Sequence, residues 1–284
     1  MYRRTITSAL FAVVFVFGLS ACDLTVPDQN NPSLGELQNN PTASSVNSLA
    51  SGLLIGARDG FETYIVTTGM LGREMYDFDG ASVIASELLT GPLNPSQWGG
   101  SNWQAPYTNL RNATLLLDAV GNIARFSEAE KEAIRGYTKT IMAYEFVILI
   151  STRDENGAVI DIDRAPTGDP GPIVGRSEVY DHIVTLLDEA QGHLQAASGS
   201  DFTFELSSGF SDFNTPETFL EFNRALKARV DIYMENYSAA LQSLNGSFVD
   251  TTASLNLGVY HAFSTGSGDA SNGLFGQSQG DSPN

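Results

Sequence analysis

The stretch Ser127–Ile150, SEAEKEAIRGYTKTIMAYEFVILI, decides the fold class. It opens on a capping box. The Ser127 hydroxyl can accept from the Glu130 amide while the Glu130 carboxylate reaches back to the Ser127 amide, which satisfies two donors that a helix start leaves orphaned. Behind it Ile134, Tyr137, Ile141, Tyr144 and Ile148 recur at spacings of three and four, the signature of one apolar helix face running for about five turns. The same rhythm extends outward in both directions. Val46, Leu49, Leu53 and Ala57 carry it on the amino-terminal side, and Trp103, Tyr107, Leu110, Thr114 and Leu117 repeat it after Ser101-Asn102, either of which can cap a first turn. On the carboxyl side Ser177 precedes Val179, Ile183, Leu186, Ala190 and Leu194. Thr215-Pro216 is an N-cap followed by an N1 proline, ahead of Phe219, Phe222, Leu226, Val230 and Tyr233. A shorter helix is predicted over Tyr237–Leu244, ended by Asn245-Gly246. No period-2 pattern of comparable length occurs, so the expected class is mainly α with long irregular loops, the longest over Gly69–Gly100 and Ser151–Arg176.

The chain has 284 residues, 33 Asp plus Glu against 15 Lys plus Arg, and a formal charge of −18. That sign repels phosphate backbones, and no basic stripe offsets it, so nucleic acid is excluded as a partner. A 42% hydrophobic content is ample for a packed core, and the one cysteine cannot form an internal disulfide.

The amino terminus reads as an export signal. Arg3 and Arg4 precede the apolar run Ala9–Leu19, which is short for a spanning helix and right for a signal-peptide core. Leu19-Ser20-Ala21-Cys22 then resembles the bacterial lipobox. That resemblance implies cleavage before Cys22 and acylation of its thiol and new amino group, and two or three acyl chains make such an anchor effectively permanent. Leu24–Pro41, with Pro27, Pro32 and Pro41, reads as an extended polar tether. The expected organisation is a signal peptide over 1–21, a lipidated tether over 22–41, a helical domain over 42–263 and a flexible Gly/Ser-rich tail over 264–284.

An ordered set of elements carries a family resemblance: the lipobox, the Asn/Pro tether, Trp103-Gln-Ala-Pro-Tyr107-Thr-Asn-Leu-Arg-Asn112, the helix Glu130–Ile150 with Arg135 and Tyr144, Val179-Tyr-Asp-His-Ile183, and Asn223-Arg-Ala-Leu-Lys-Ala-Arg229 followed by Tyr237-Ser-Ala-Ala240. Together these resemble the SusD/RagB family of outer-membrane nutrient-binding lipoproteins, across roughly Cys22 to Gly268. The resemblance implies a SusD-like helical domain with tetratricopeptide-like helix pairs, lipid-anchored in the outer membrane and exposed at the cell surface. It also implies a SusC-like TonB-dependent transporter as partner and a glycan or other nutrient as ligand. Family members are usually longer, continuing through a loop-rich C-terminal half, so the chain reads as a truncated product, a fragment or a shortened member. The alternative from another class is a helical-repeat protein–protein adaptor of the cell envelope that binds no small molecule.

None of the three lysines follows a glycine, which removes a phosphate-gripping G-K-[ST] loop, and there is no H-E-x-x-H pair. Glu189 and His193 can share a helix face, but two ligands do not close a zinc site. Asp77-Phe78-Asp79-Gly80 and Asp154-Glu155-Asn156-Gly157 lack the downstream glutamate of a calcium loop and read as turns. The expectation is therefore no enzyme, no metal and no cofactor. A sugar site needs a flat aromatic ring beside hydrogen-bonding side chains. The loop from Arg73 to Asn102 supplies that chemistry through Arg73, Tyr76, Asp77, Phe78, Trp98 and Asn102, which are the expected ligand residues, whereas Trp103 reads as core.

Overall fold

A computed structural model describes residues 34–78, 82–164, 168–266 and 269–274, and over them the chain is mainly helical. The export signal, Cys22 and most of the tether lie outside the described residues. The helices are α1 (Leu34–Asn39), α2 (Ala43–Gly56), α3 (Phe61–Leu71), α4 (Gln104–Asn122), α5 (Glu128–Arg153), α6 (Arg176–Ala196), α7 (Pro216–Tyr233) and α8 (Tyr237–Leu244). A two-residue antiparallel pair, β1 (Ala158–Val159) with β2 (Ile173–Val174), is the only sheet among the described residues.

Helix α5 is the axis of the domain because its sequence is apolar on more than one face. Its capping box forms as the sequence predicts, with Glu130 N donating to Ser127 Oγ at 3.3 Å and Ser127 N to Glu130 Oε2 at 2.7 Å. Ile134, Tyr137 and Ile141 are buried, and so are Ala133, Ala143, Phe146, Val147, Leu149 and Ile150 on other faces. Helices α4 and α6 therefore both pack against α5, and α7 packs against α6. Gly136 lets α6 approach closely: a Cβ there would lie 2.6 Å from Leu194 Cγ and 3.0 Å from the Ala190 carbonyl oxygen. The Tyr137 ring packs among Phe204 and Phe219, with centroids at 4.8 and 5.5 Å, and its hydroxyl donates to the Ala50 carbonyl at 2.8 Å. Fully buried rings of this kind contribute about 3–5 kcal/mol each to stability. Tyr144, the next residue of the stripe, is only half-buried because its polar end meets a cavity.

Four helices are joined by a buried polar network. Asn223 Nδ2 donates to Thr140 Oγ1 on α5 at 2.9 Å and to the Leu187 carbonyl on α6 at 3.3 Å. Arg224 donates to Asn223 Oδ1 at 2.8 Å and pairs with Asp188 at 3.0 Å. Lys227 pairs with Asp231 at 3.2 Å, and Ser243 of α8 donates to the same carboxylate at 3.0 Å. Each buried charge in this chain of contacts has an opposite charge and further hydrogen bonds, the condition under which burial is tolerated.

Several expectations are corrected. The tether is not extended throughout. Its last part is α1, whose buried Leu37 sits in a helix packed on α4. The irregular stretch from Gly69 to Gly100 includes the end of α3 and a π-helical turn over Ala85–Thr90. Together they bury a small second core of Val66, Met70 and Leu88. Part of the expected tail also packs: Asp269 pairs with Arg58 at 2.6 Å, and Leu274 lies against the second core. Ser177 is not the cap of α6, because the extended Gly175 holds that position. Trp103 takes the position before α4 that Ser101 and Asn102 were expected to fill.

Candidate functional site

The site centres on Trp103, immediately ahead of α4. Arg153, in the last turn of α5, clamps the loop that delivers it. The guanidinium donates to the carbonyls of Gly99 at 2.9 Å, Gly100 at 3.4 Å and Ser101, and its carbon stands 5.4 Å from the centre of the Trp103 ring. A helix C-terminus favours a cation, and this one turns its charge toward neighbouring backbone oxygens. Trp103 contacts Tyr107 one turn later, with ring centroids 4.7 Å apart. The Tyr107 hydroxyl accepts from Val159 N at 2.7 Å and donates to the Val159 carbonyl at 2.9 Å, which fixes β1 beside α4. Burial raises the Tyr107 pKa above the usual phenol value, partly opposed by its bond to Val159 and by Arg153.

Two depressions share Trp103 as a wall. One, about 220 Å³, is bounded by Asp59, Tyr64, Asn102, Gln104 and Glu145. The other, about 440 Å³ and more open, is bounded by Tyr107, Arg111, Asp161, Arg164 and Asp169. Asn102 stands at φ 59, in the left-handed region that asparagine tolerates better than most residues. Glu145 is 3% exposed, and Asn109 Nδ2 donates to its Oε1 at 2.6 Å and to the Leu53 carbonyl at 3.0 Å. Burial, with Asp59 adding to it, raises the Glu145 pKa to about 8 against the hydrogen bond from Asn109. At neutral pH the depression therefore has a protonated carboxyl, able to donate. An aromatic ring between donors and acceptors of both kinds suits a polyol with apolar C–H faces.

The expected ligand residues divide among three places. Asn102 lies in the smaller depression. Trp98 is half-buried against the second core of Val66, Met70 and Leu88. Tyr76 and Phe78 are 58% and 93% exposed and face each other at 6.3 Å, and they line neither depression. Asp77 between them is half-buried. Arg73 is exposed at φ 66, and among the described residues no ion pair joins it to Glu74. The loop is ordered from within by Glu87, a buried carboxylate that accepts from Asn94 N at 2.8 Å and Gly99 N at 2.5 Å.

Glu189 and His193 do not act together. Each crosses to α5, Glu189 to Lys139 and His193 to Glu132. Asp154 and Glu155, in the second Asp-rich turn, hold Arg176 at 3.2 and 3.4 Å. Among the described residues no group of three or more His, Cys, Asp or Glu side chains is placed to hold a metal, and no helix is long and apolar enough to cross a membrane.

No known family model, curated protein or solved structure matches this chain.

Trp103, expected as core, is partly buried against the main core and also borders both depressions, whereas Glu145 is the residue that sequence reasoning missed. Glu145 leaves a visible signal, as the one charge in the apolar run from Ile141 to Ile150. Trp103 fits the helix stripe, and nothing in the pattern distinguishes a ring packed on both faces from one that borders open space.

Proposed function

We propose that this chain is a lipid-anchored, non-catalytic nutrient-binding protein of the SusD/RagB kind, working with a SusC-like TonB-dependent transporter at the outer membrane. Its ligand is a glycan or oligosaccharide, held at Trp103. The observation that carries the reading is the placement of that ring between two depressions furnished with Asp59, Asn102 and Glu145 on one side and Arg111, Asp161 and Asp169 on the other. The lipobox at Leu19–Cys22 supports the anchor. Helices α4 with α5 and α7 with α8, each joined by a short turn, support the tetratricopeptide-like pairing.

The adaptor reading is favoured by a different observation. Ile232, Tyr237 and Leu241 are exposed on α7 and α8, where an apolar face would suit a protein partner.

Affinity electrophoresis through gels containing individual polysaccharides separates the two. Retention in at least one gel is expected, with Trp103→Ala and Asn102→Ala each weakening it by about 1 kcal/mol or more. Retention unchanged by both substitutions, or no retention in any gel, would remove the Trp103 site and leave the adaptor.

A further inference from the structure

A separate cavity of about 290 Å³ lies between α2, α5, α7 and the irregular segment 248–261. Its walls are apolar: Leu54, Ile141, Leu226, Phe210, Phe222 and Phe248 supply them. Two polar features interrupt that lining. The Tyr144 hydroxyl lies 2.9 Å from His261 Nε2, and the His261 ring packs 4.7 Å from Phe61. Burial, reinforced by the charge of Arg58, lowers the His261 pKa and favours the neutral ring.

The second feature is Arg229, an exposed residue of α7 that lines the cavity. Its Nε donates to the Tyr233 hydroxyl at 2.7 Å, with the guanidinium carbon 5.3 Å from that ring centre. Among the described residues its terminal nitrogens have no carboxylate and no other acceptor. The other arginines that line cavities differ: Arg58 pairs with Asp269, Arg164 with Asp161, and Arg176 with Asp154 and Glu155, while Arg111 donates to the Ile162 carbonyl at 3.5 Å. In a chain with 33 acidic residues against 15 basic ones, a cation kept without an acid at the edge of an apolar cavity is a chemical specification. The planar guanidinium presents paired N–H donors that match a carboxylate, and the walls match a hydrocarbon or aryl body.

We infer that this cavity binds a small organic carboxylate with an apolar body, its carboxylate on Arg229 and its body among Ile141, Leu226, Phe210 and Phe222. The site is separate from the Trp103 cleft and independent of the glycan reading. Octanoate and octanamide, titrated calorimetrically into the full chain, give the decisive comparison, since they share a body and differ in charge. Octanoate should bind about tenfold more tightly than octanamide, because a hydrogen bond between two charged partners is stronger than one to a neutral amide. Arg229→Gln should abolish that preference, and Ala225→Trp, which fills the cavity, should remove both ligands. Trp103→Ala should change neither. Equal affinity of the two ligands, no binding of octanoate, or a preference that survives Arg229→Gln would overturn the assignment. If Arg229→Gln fails to fold, the octanoate to octanamide ratio on the unaltered chain still decides.

Discussion

Replacing Glu145 with glutamine tests the electrostatics of the domain at a buried acid of its central helix. The carboxyl sits on the central helix, 3% exposed, with its pKa raised to about 8 by desolvation. Unfolded, it titrates near the ordinary glutamate value of about 4.3. Between those values the folded chain holds a proton that the unfolded chain has released, so stability falls as pH rises, by about 1.4 kcal/mol per unit. Taking the protein from pH 5 to pH 7 should therefore cost about 3 kcal/mol through this group alone. The half-buried imidazoles of His182 and His261 work in the opposite direction. Their pKa values are lowered, so the unfolded chain binds the extra proton and stability rises with pH as they pass their unfolded values. Total stability mixes these slopes, but the difference between variant and parent does not. The glutamine side chain would retain the acceptor for Asn109 and carry no proton to lose. Urea denaturation at pH 5, 6, 7 and 8 should show the E145Q variant gaining on the parent steadily, to about 3 kcal/mol between pH 5 and pH 7. A difference that stays flat across that range would mean that Glu145 is ionised in the folded state, and the reasoning about the smaller Trp103 depression would fail with it.

Two further substitutions probe the loops. At Gly209 a Cβ would lie 1.9 Å from the Tyr260 carbonyl oxygen, so Gly209→Ala should push segment 259–263 away and lower stability by about 1–3 kcal/mol in a thermal melt. An unchanged melting temperature would mean that this segment is not held there. Trp98→Ala should cost about 2 kcal/mol, roughly half the figure for a fully buried ring, while leaving retention in polysaccharide gels intact. Lost retention at constant stability would return Trp98 to the ligand face.

What the sequence disclosed and what it concealed follow from the range of the interactions. Helices α5 and α7 are legible because their start signals, the capping box at Ser127 and the N-cap with N1 proline at Thr215-Pro216, and their apolar stripes are local patterns. Helix α3 starts at Gly60, in the left-handed region and with no capping side chain, and its Tyr-Ile-Val-Thr-Thr run favours strand as readily as helix, so no start signal marks it. Arg153, Glu87 and Tyr137 each hold backbone far away in the chain or in another element. Composition and periodicity carry no trace of such contacts. The candidate ligand loop is visible as a segment, but its role divides: Trp98 packs inward, Tyr76 and Phe78 stand out in solvent, and only Asn102 reaches the cleft.

Arg58 has a consequence for how the domain is assembled. From the turn after α2 it pairs with Asp269 and donates to the Ala262 carbonyl, 204 residues along the chain, while the Gly209 carbonyl accepts from Tyr260 N at 3.0 Å. The Arg229 cavity thus has a wall that arrives only after α8 has been synthesised, and closing so long a loop returns little until α2 to α8 are already packed. An emerging chain would build the bundle first and seat segment 259–263 last. The same segment would then be the first part to detach, so that the cavity opens and closes by a local unfolding that leaves the helical body intact.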